Sequence, residues 1–189
     1  MDLSGEFDRA LAFASSRHRR HLRKGTGVPY LAHLLGVTSI VLEHGGTETE
    51  AIGALLHDTV EDGKATLAEV REEFGDEVAD IVDGLSDTDQ PDNKPDWWTR
   101  KRAHVKHLPH ASASVRLVSA ADKLHNARAI VRDQREIGDV VFDRFTADKA
   151  ATLWYYRALI SAFRASDTAP TLVDELNRVV TELEHLAYP

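Results

Sequence analysis

Cysteine is absent from all 189 residues. That excludes a disulfide framework, a thiolate metal site, a cysteine-held iron–sulfur cluster and a cysteine nucleophile, so any metal must be held by histidine and carboxylate. Basic charge is in deficit too: 23 Lys and Arg face 31 Asp and Glu, a formal net charge of -8. Such a surface argues against nucleic acid and against an anionic membrane as partners. No apolar run approaches the roughly 20 residues that span a bilayer, and the most apolar stretch, Tyr30 to Leu42, is interrupted by His33. The start, Met1-Asp2-Leu3-Ser4-Gly5-Glu6, is acidic where a secretory signal is basic, which predicts a cytoplasmic protein.

What is present suits a folded domain: 42% of residues are apolar and 29% charged. The length suits one domain over residues 1–189. Alternating apolar and polar runs are missing and helical spacing runs almost throughout, so the expected fold is all-α. Phe7, Ala10, Leu11 and Ala14 mark a first helix running into the basic patch His18 to Lys24. Gly25-Thr26-Gly27-Val28-Pro29 breaks it with a loop. A second helix from Tyr30 stops at Gly45-Gly46, and Thr47 with Glu50 predicts a capping box for a third. Thr66 with Glu69 repeats that signal before a helix ending at Gly75, and Val78 to Leu85 forms another. Ser86 to Pro95 reads as an exposed loop. Helical spacing resumes in Trp97–Leu108, Val115–Arg132, Ala147–Phe163 and Leu172–Leu186.

Chemistry concentrates around His57-Asp58. With ten histidines in an acidic chain, one such neighbouring pair arises from composition alone, so the doublet by itself says little. Its surroundings say more: His33 lies on the preceding predicted helix, Asp122 sits in the apolar run Val115 to Leu124, and Glu61-Asp62 follow within one helical turn. On a continuing helix His57 would face Glu61, and Asp58 would face both acids. Two imidazoles and two carboxylates suit a catalytic divalent cation with positions left for water, and this oxygen-rich set admits Mn or Fe as readily as Zn. Each residue also has a plainer reading. A histidine on an apolar helix is commonly a buried residue with one hydrogen bond, an acidic pair before a glycine is commonly a solvated helix end, and Asp122 could pair with Lys123 or Arg128.

His33, His57-Asp58 and Asp122, in that order, resemble the metal-binding pattern of the HD-domain phosphohydrolases. Arg23-Lys24, Pro29-Tyr30-Leu31-Ala32-His33, Leu55-Leu56-His57-Asp58-Thr59-Val60-Glu61-Asp62 and Ala121-Asp122-Lys123-Leu124-His125-Asn126 are similar to the hydrolase domain of the RelA/SpoT family, and most of all to its stand-alone small alarmone hydrolases. The similarity runs on through Arg100-Lys101-Arg102 and Leu153-Trp154-Tyr155-Tyr156.

The resemblance implies a compact HD-domain helical bundle with one Mn2+ per chain, or Fe, Co or Zn, on His33, His57, Asp58 and Asp122. It implies Glu61 and Asp62 as the water-activating pair, and a nucleotide substrate contacted by Arg23, Lys24, Tyr30, Arg100, Lys101 and Asn126. The implied reaction is removal of pyrophosphate from the ribose 3′ position of (p)ppGpp. The alternatives are (p)ppApp or the 2′-phosphate of NADPH as substrate, or an alarmone-binding regulator without chemistry, which would not need Glu61-Asp62. The sequence departs from the pattern at Leu34, where many relatives carry proline, in its longer Lys24 to Tyr30 loop, and at Ala127-Arg128-Ala129, which lacks a threonine. Trp97-Trp98 reads first as a packing anchor and second as part of the nucleotide pocket lining.

Overall fold

The computed structural model describes residues 2–86 and 95–189, so most of the loop expected from Ser86 to Pro95 lies outside the described residues. These residues form two compact units, one of residues 2–86 with 113–121 and one of residues 95–112 with 122–189. Both are helical. The described residues contain no strand, and Leu22 and Pro29 meet in an isolated antiparallel bridge. No described helix is long and apolar enough to cross a membrane.

The first unit is built from α1 (Gly5–Arg17), α2 (Leu31–Glu43), α3 (Glu48–Leu56) and α4 (Leu67–Leu85). Three of the four starts, all but that of α2, are set by a side-chain cap. The Ser4 hydroxyl accepts from the Glu6 amide, and both expected capping boxes, Thr47 with Glu50 and Thr66 with Glu69, are formed in both directions. Gly75 is the stop expected of it. It adopts φ +82 and ψ 175, outside the helical region, so α4 is two helical stretches meeting at a kink, a conformation glycine takes without a Cβ penalty, and Phe74 and Val78 on either side both reach the core. Ala10, Ala14, Leu34, Ile52, Leu55, Leu56, Val70, Phe74 and Val82 form that core, with Leu34, Leu55 and Leu56 wholly excluded from solvent.

The second unit holds α5 (Trp97–His107), α7 (Lys149–Ala165), α8 (Pro170–Ala187) and the later part of α6, which runs Ala113–Ile137 overall and therefore exceeds its expected bounds at both ends. α7 starts two residues later than expected because the Asp148 carboxylate accepts from the Ala151 amide and caps it. α8 buries Leu172, Val173, Leu176, Val180 and Leu183 at three-to-four spacing, and Arg157 on α7 reaches Glu184, Asn177 and Thr181 on α8. Of the expected packing anchor Trp97-Trp98 only Trp97 is half-buried, while Trp98 and its neighbour Trp154 are exposed. Trp97 meets Tyr155 edge-on at 5.9 Å and Trp98 lies 4.9 Å from Trp154.

Candidate metal centre

Three of the four expected ligands gather in the first unit. His33 is carried by the first turn of α2 and is 1% exposed, and His57 follows the last residue of α3 at 5%. His57 Nδ1 lies 2.7 Å from the carbonyl oxygen of Ala54. A carbonyl only accepts, so Nδ1 carries the proton in the neutral ring, and Nε2 is left with its lone pair. That Nε2 lies 2.9 Å from Asp58 Oδ2, and His33 Nε2 lies 3.7 Å from the same oxygen. One donor atom from each of the three residues falls within 4.8 Å of the others. Two imidazole nitrogens and a carboxylate oxygen, one imidazole fixed by a backbone bond behind it, fit a borderline divalent cation.

Asp122 and Asn126 belong to the second unit. The Asn126 amide donates to Asp122 Oδ1 at 2.5 Å and Lys123 Nζ donates to Oδ2 at 2.6 Å, so the plainer pairing of Asp122 with Lys123 is present. Arg128 pairs instead with Glu175. Asp122 is 7% exposed, and a carboxylate that deep needs such donors or a cation.

The segment after His57 is not the continuing helix expected. α3 ends at Leu56, and residues 57–63 run as turns in which the Asp58 carbonyl accepts from the amides of Asp62 and Gly63 at 2.9 and 3.3 Å. Gly63 makes this fold possible: a Cβ there would lie 2.6 Å from the Thr59 carbonyl oxygen, inside contact distance. Glu61 and Asp62 remain close to Asp58 along the chain and are exposed on this turn.

Of the expected substrate residues, Arg23 lies with its guanidinium carbon 5.6 Å from the Tyr30 ring centroid. Its amide donates to the Val28 carbonyl and Gly25 takes φ +71, closing the glycine loop into a tight hairpin with Lys24 exposed near its tip. Tyr30 donates its hydroxyl to Asp58 Oδ2 at 2.5 Å. In the second unit the basic trio diverges, as neighbouring helical residues must. Arg100 donates to the Pro95 carbonyl, Lys101 lies over Tyr155 and Arg102 over Trp98.

His18 was read only as part of a basic patch, yet it is buried. Its ring stacks on Tyr30 at 5.0 Å, and its Nδ1 meets His21 Nδ1 at 3.1 Å, so one of the two donates. The signal available is spacing, since His18, the residue that caps the end of α1, continues the buried four-residue stripe of Ala10 and Ala14. Burial first, and the neighbouring His21 second, lower its pKa from 6.5 to about 4. The folded chain thus resists a proton that the unfolded chain accepts near pH 6.5. This contribution to stability is fully present above that pH and is lost as pH falls toward 4. Urea unfolding from pH 7 downward is expected to show stability falling by up to about 1.4 kcal/mol per pH unit across that window, with a shallower fall in His18→Gln. Equal slopes in the two proteins would contradict it.

Comparison with known proteins agrees with the geometry. The HD domain model matches residues 10–147. The guanosine-3′,5′-bis(diphosphate) 3′-pyrophosphohydrolase MESH1 of Xenopus tropicalis is 40% identical over 126 residues, 65% of this chain and 68% of that one, and the Homo sapiens protein of the same name matches to the same extent. A solved structure described as a metazoan ortholog of SpoT that hydrolyses ppGpp superposes with a TM-score of 0.76 over 94% of this chain and 97% of that one; at 24% identity it speaks for the fold.

Proposed function

The chain belongs to the HD-domain family, and within it to the MESH1 group, and on that premise we propose that it is a guanosine-alarmone 3′-pyrophosphohydrolase. It converts ppGpp or pppGpp and water into GDP or GTP and pyrophosphate, using one Mn2+ per chain. The observation that carries this reading is the cluster of His33, His57 and Asp58, with the His57 tautomer set by the Ala54 carbonyl.

His33, His57 and Asp58, with Asp122 as fourth ligand, would hold the ion. When bound, such a cation lowers the pKa of water and offsets negative charge on the attacked phosphate. Glu61 and Asp62, exposed on the turn beside Asp58, orient the water and accept its proton. The water oxygen joins the phosphorus, the bond from phosphorus to the ribose 3′ oxygen breaks, and that oxygen leaves on the nucleotide with the proton that Glu61 and Asp62 took from the water. Asn126 serves the ribose, and Lys24, Arg100 and Lys101 serve phosphate, concentrating cations on a protein whose overall charge is negative. Arg23 covers the purine face with its flat guanidinium.

Arg23→Ala is expected to raise KM about tenfold or more with little change in kcat, because a stacked base contributes on the order of 1–3 kcal/mol. Arg23→Lys restores charge without the flat face and should rescue poorly. Steady-state kinetics separate the cases, and a fall in kcat at constant KM would place Arg23 at the reacting phosphate. The reading as a whole is tested by incubating metal-loaded protein with ppGpp, ppApp and NADPH separately and distinguishing pyrophosphate from phosphate. Pyrophosphate from ppGpp is the expected result. Turnover of ppApp or NADPH alone would transfer the assignment to that substrate, and binding of ppGpp without product would make the chain a regulator.

A further inference from the structure

His18 is 2% exposed and has no part in the roles above. Three neighbours enclose its ring. Tyr30 lies against one face, 17° from parallel at 5.0 Å. His21 holds Nδ1. On the remaining side Nε2, which has no hydrogen-bond partner among the described residues, faces the 57–63 turn so closely that a Cβ on Gly63 would come within 3.1 Å of it. Tyr30 in turn places its hydroxyl on Asp58 Oδ2, the oxygen that also lies nearest the Nε2 atoms of His57 and His33.

We propose that His18 is a positioning residue for the metal centre: by stacking on Tyr30 and backing the 57–63 turn, it holds the Tyr30 hydroxyl on Asp58 and thereby sets the affinity of the cluster for its divalent ion. The inference rests on the metal reading given above. Asp58 stands at the head of a turn with its side chain 19% exposed, and a carboxylate so placed has rotational freedom that must be removed before it can ligate in concert with two imidazoles. The Tyr30 hydroxyl removes that freedom provided the phenol itself is fixed. A parallel ring at stacking distance fixes it. Leaving Nε2 buried without a partner carries a desolvation cost that an apolar filler would avoid. What the imidazole supplies in return is the Nδ1 link to His21, which pins the plane of the ring and so the plane of the stack. The ring is also neutral near pH 7, so it adds no positive charge beside a cation site.

The test is equilibrium dialysis of the metal-stripped full chain against Mn2+ alone, for wild type, His18→Ala, Tyr30→Phe and the double variant. Each single substitution is expected to weaken Mn2+ binding about 10–100-fold, as loss of a group supporting a ligand does. The double variant should bind no more weakly than the weaker single one, because both act through the same hydroxyl. His18→Ala binding within about twofold of wild type, or losses that multiply in the double variant, would overturn the inference. Should His18→Ala fail to fold, His18→Gln removes the flat ring while keeping bulk and is expected to show the same loss. Tyr30→Phe alters a single hydroxyl, and unchanged binding there overturns the inference unaided. Because Mn2+ binding needs no substrate, these losses in a chain that leaves ppGpp intact would refute the proposed reaction and keep the inference. A wild-type chain that binds no divalent ion would refute the metal reading and the inference with it.

Discussion

His57→Ala protein is expected to lose its divalent ion and its turnover together, with metal affinity down by more than about 100-fold. Supporting groups around a metal cost 10–100-fold when removed, and a direct ligand must exceed them. His57 is the clearest instance, because its Nδ1 is committed to the Ala54 carbonyl and its Nε2 faces Asp58 Oδ2 at 2.9 Å. Asp58→Ala is expected to match it. Asp122→Ala applies the same test to the fourth ligand proposed, a residue whose carboxylate Lys123 and Asn126 engage. Metal analysis beside initial rates gives the answer, and an Asp122→Ala chain with full occupancy and turnover would reduce that residue to the partner of Lys123. Since neutral imidazole is the ligating form, metal is also expected to be released as the pH falls below the ordinary histidine range.

The other large effect separates chemistry from binding. Glu61→Gln with Asp62→Asn preserves shape and removes both carboxylates, so kcat should fall about 100-fold or more while Mn2+ and nucleotide still bind. The turn that carries them supports this, because both residues are exposed whereas His33 and His57 beside them are buried, so neither is required to complete the core. Rapid-quench or steady-state measurement of kcat and KM decides it. An unchanged kcat with a raised KM would make the pair a binding element.

Much of the fold could be read from local signals, and for stated reasons. Thr47 with Glu50 and Thr66 with Glu69 are reciprocal caps whose geometry is local, so three-residue spacing was enough to place both helix starts. The candidate cluster was found by resemblance: ten histidines and 31 acidic residues remain in a chain without cysteine, and the likeness of the motifs around His33 and His57-Asp58 to the HD-domain pattern singled out the three residues that the structure gathers within 4.8 Å. What escaped depends on backbone closure and packing that residue spacing alone does not encode. The turn at 57–63 replaces a helix because Gly63 lets the chain fold back on the Thr59 carbonyl, and a helical pattern reading of Glu61 and Asp62 contains no trace of that closure. Gly75, by contrast, reads as a stop and is one, since its φ of +82 breaks the helical run between Phe74 and Val78. His18 was hidden by composition, since a histidine beside Arg19 and Arg20 looks like part of a charged face until Tyr30 is seen stacked on it.

The central claim is that this chain cleaves the ribose 3′-pyrophosphate of ppGpp by attack of a water on phosphorus. The measurement that tests it most directly is turnover of ppGpp in water enriched in heavy oxygen, with Mn2+ present or chelated, followed by mass analysis of both products. The account predicts GDP and pyrophosphate in equal amounts, with the heavy oxygen in the pyrophosphate, none in the GDP, and no products once Mn2+ is removed. Heavy oxygen in the GDP, release of single phosphates in place of pyrophosphate, or turnover indifferent to chelation would contradict it.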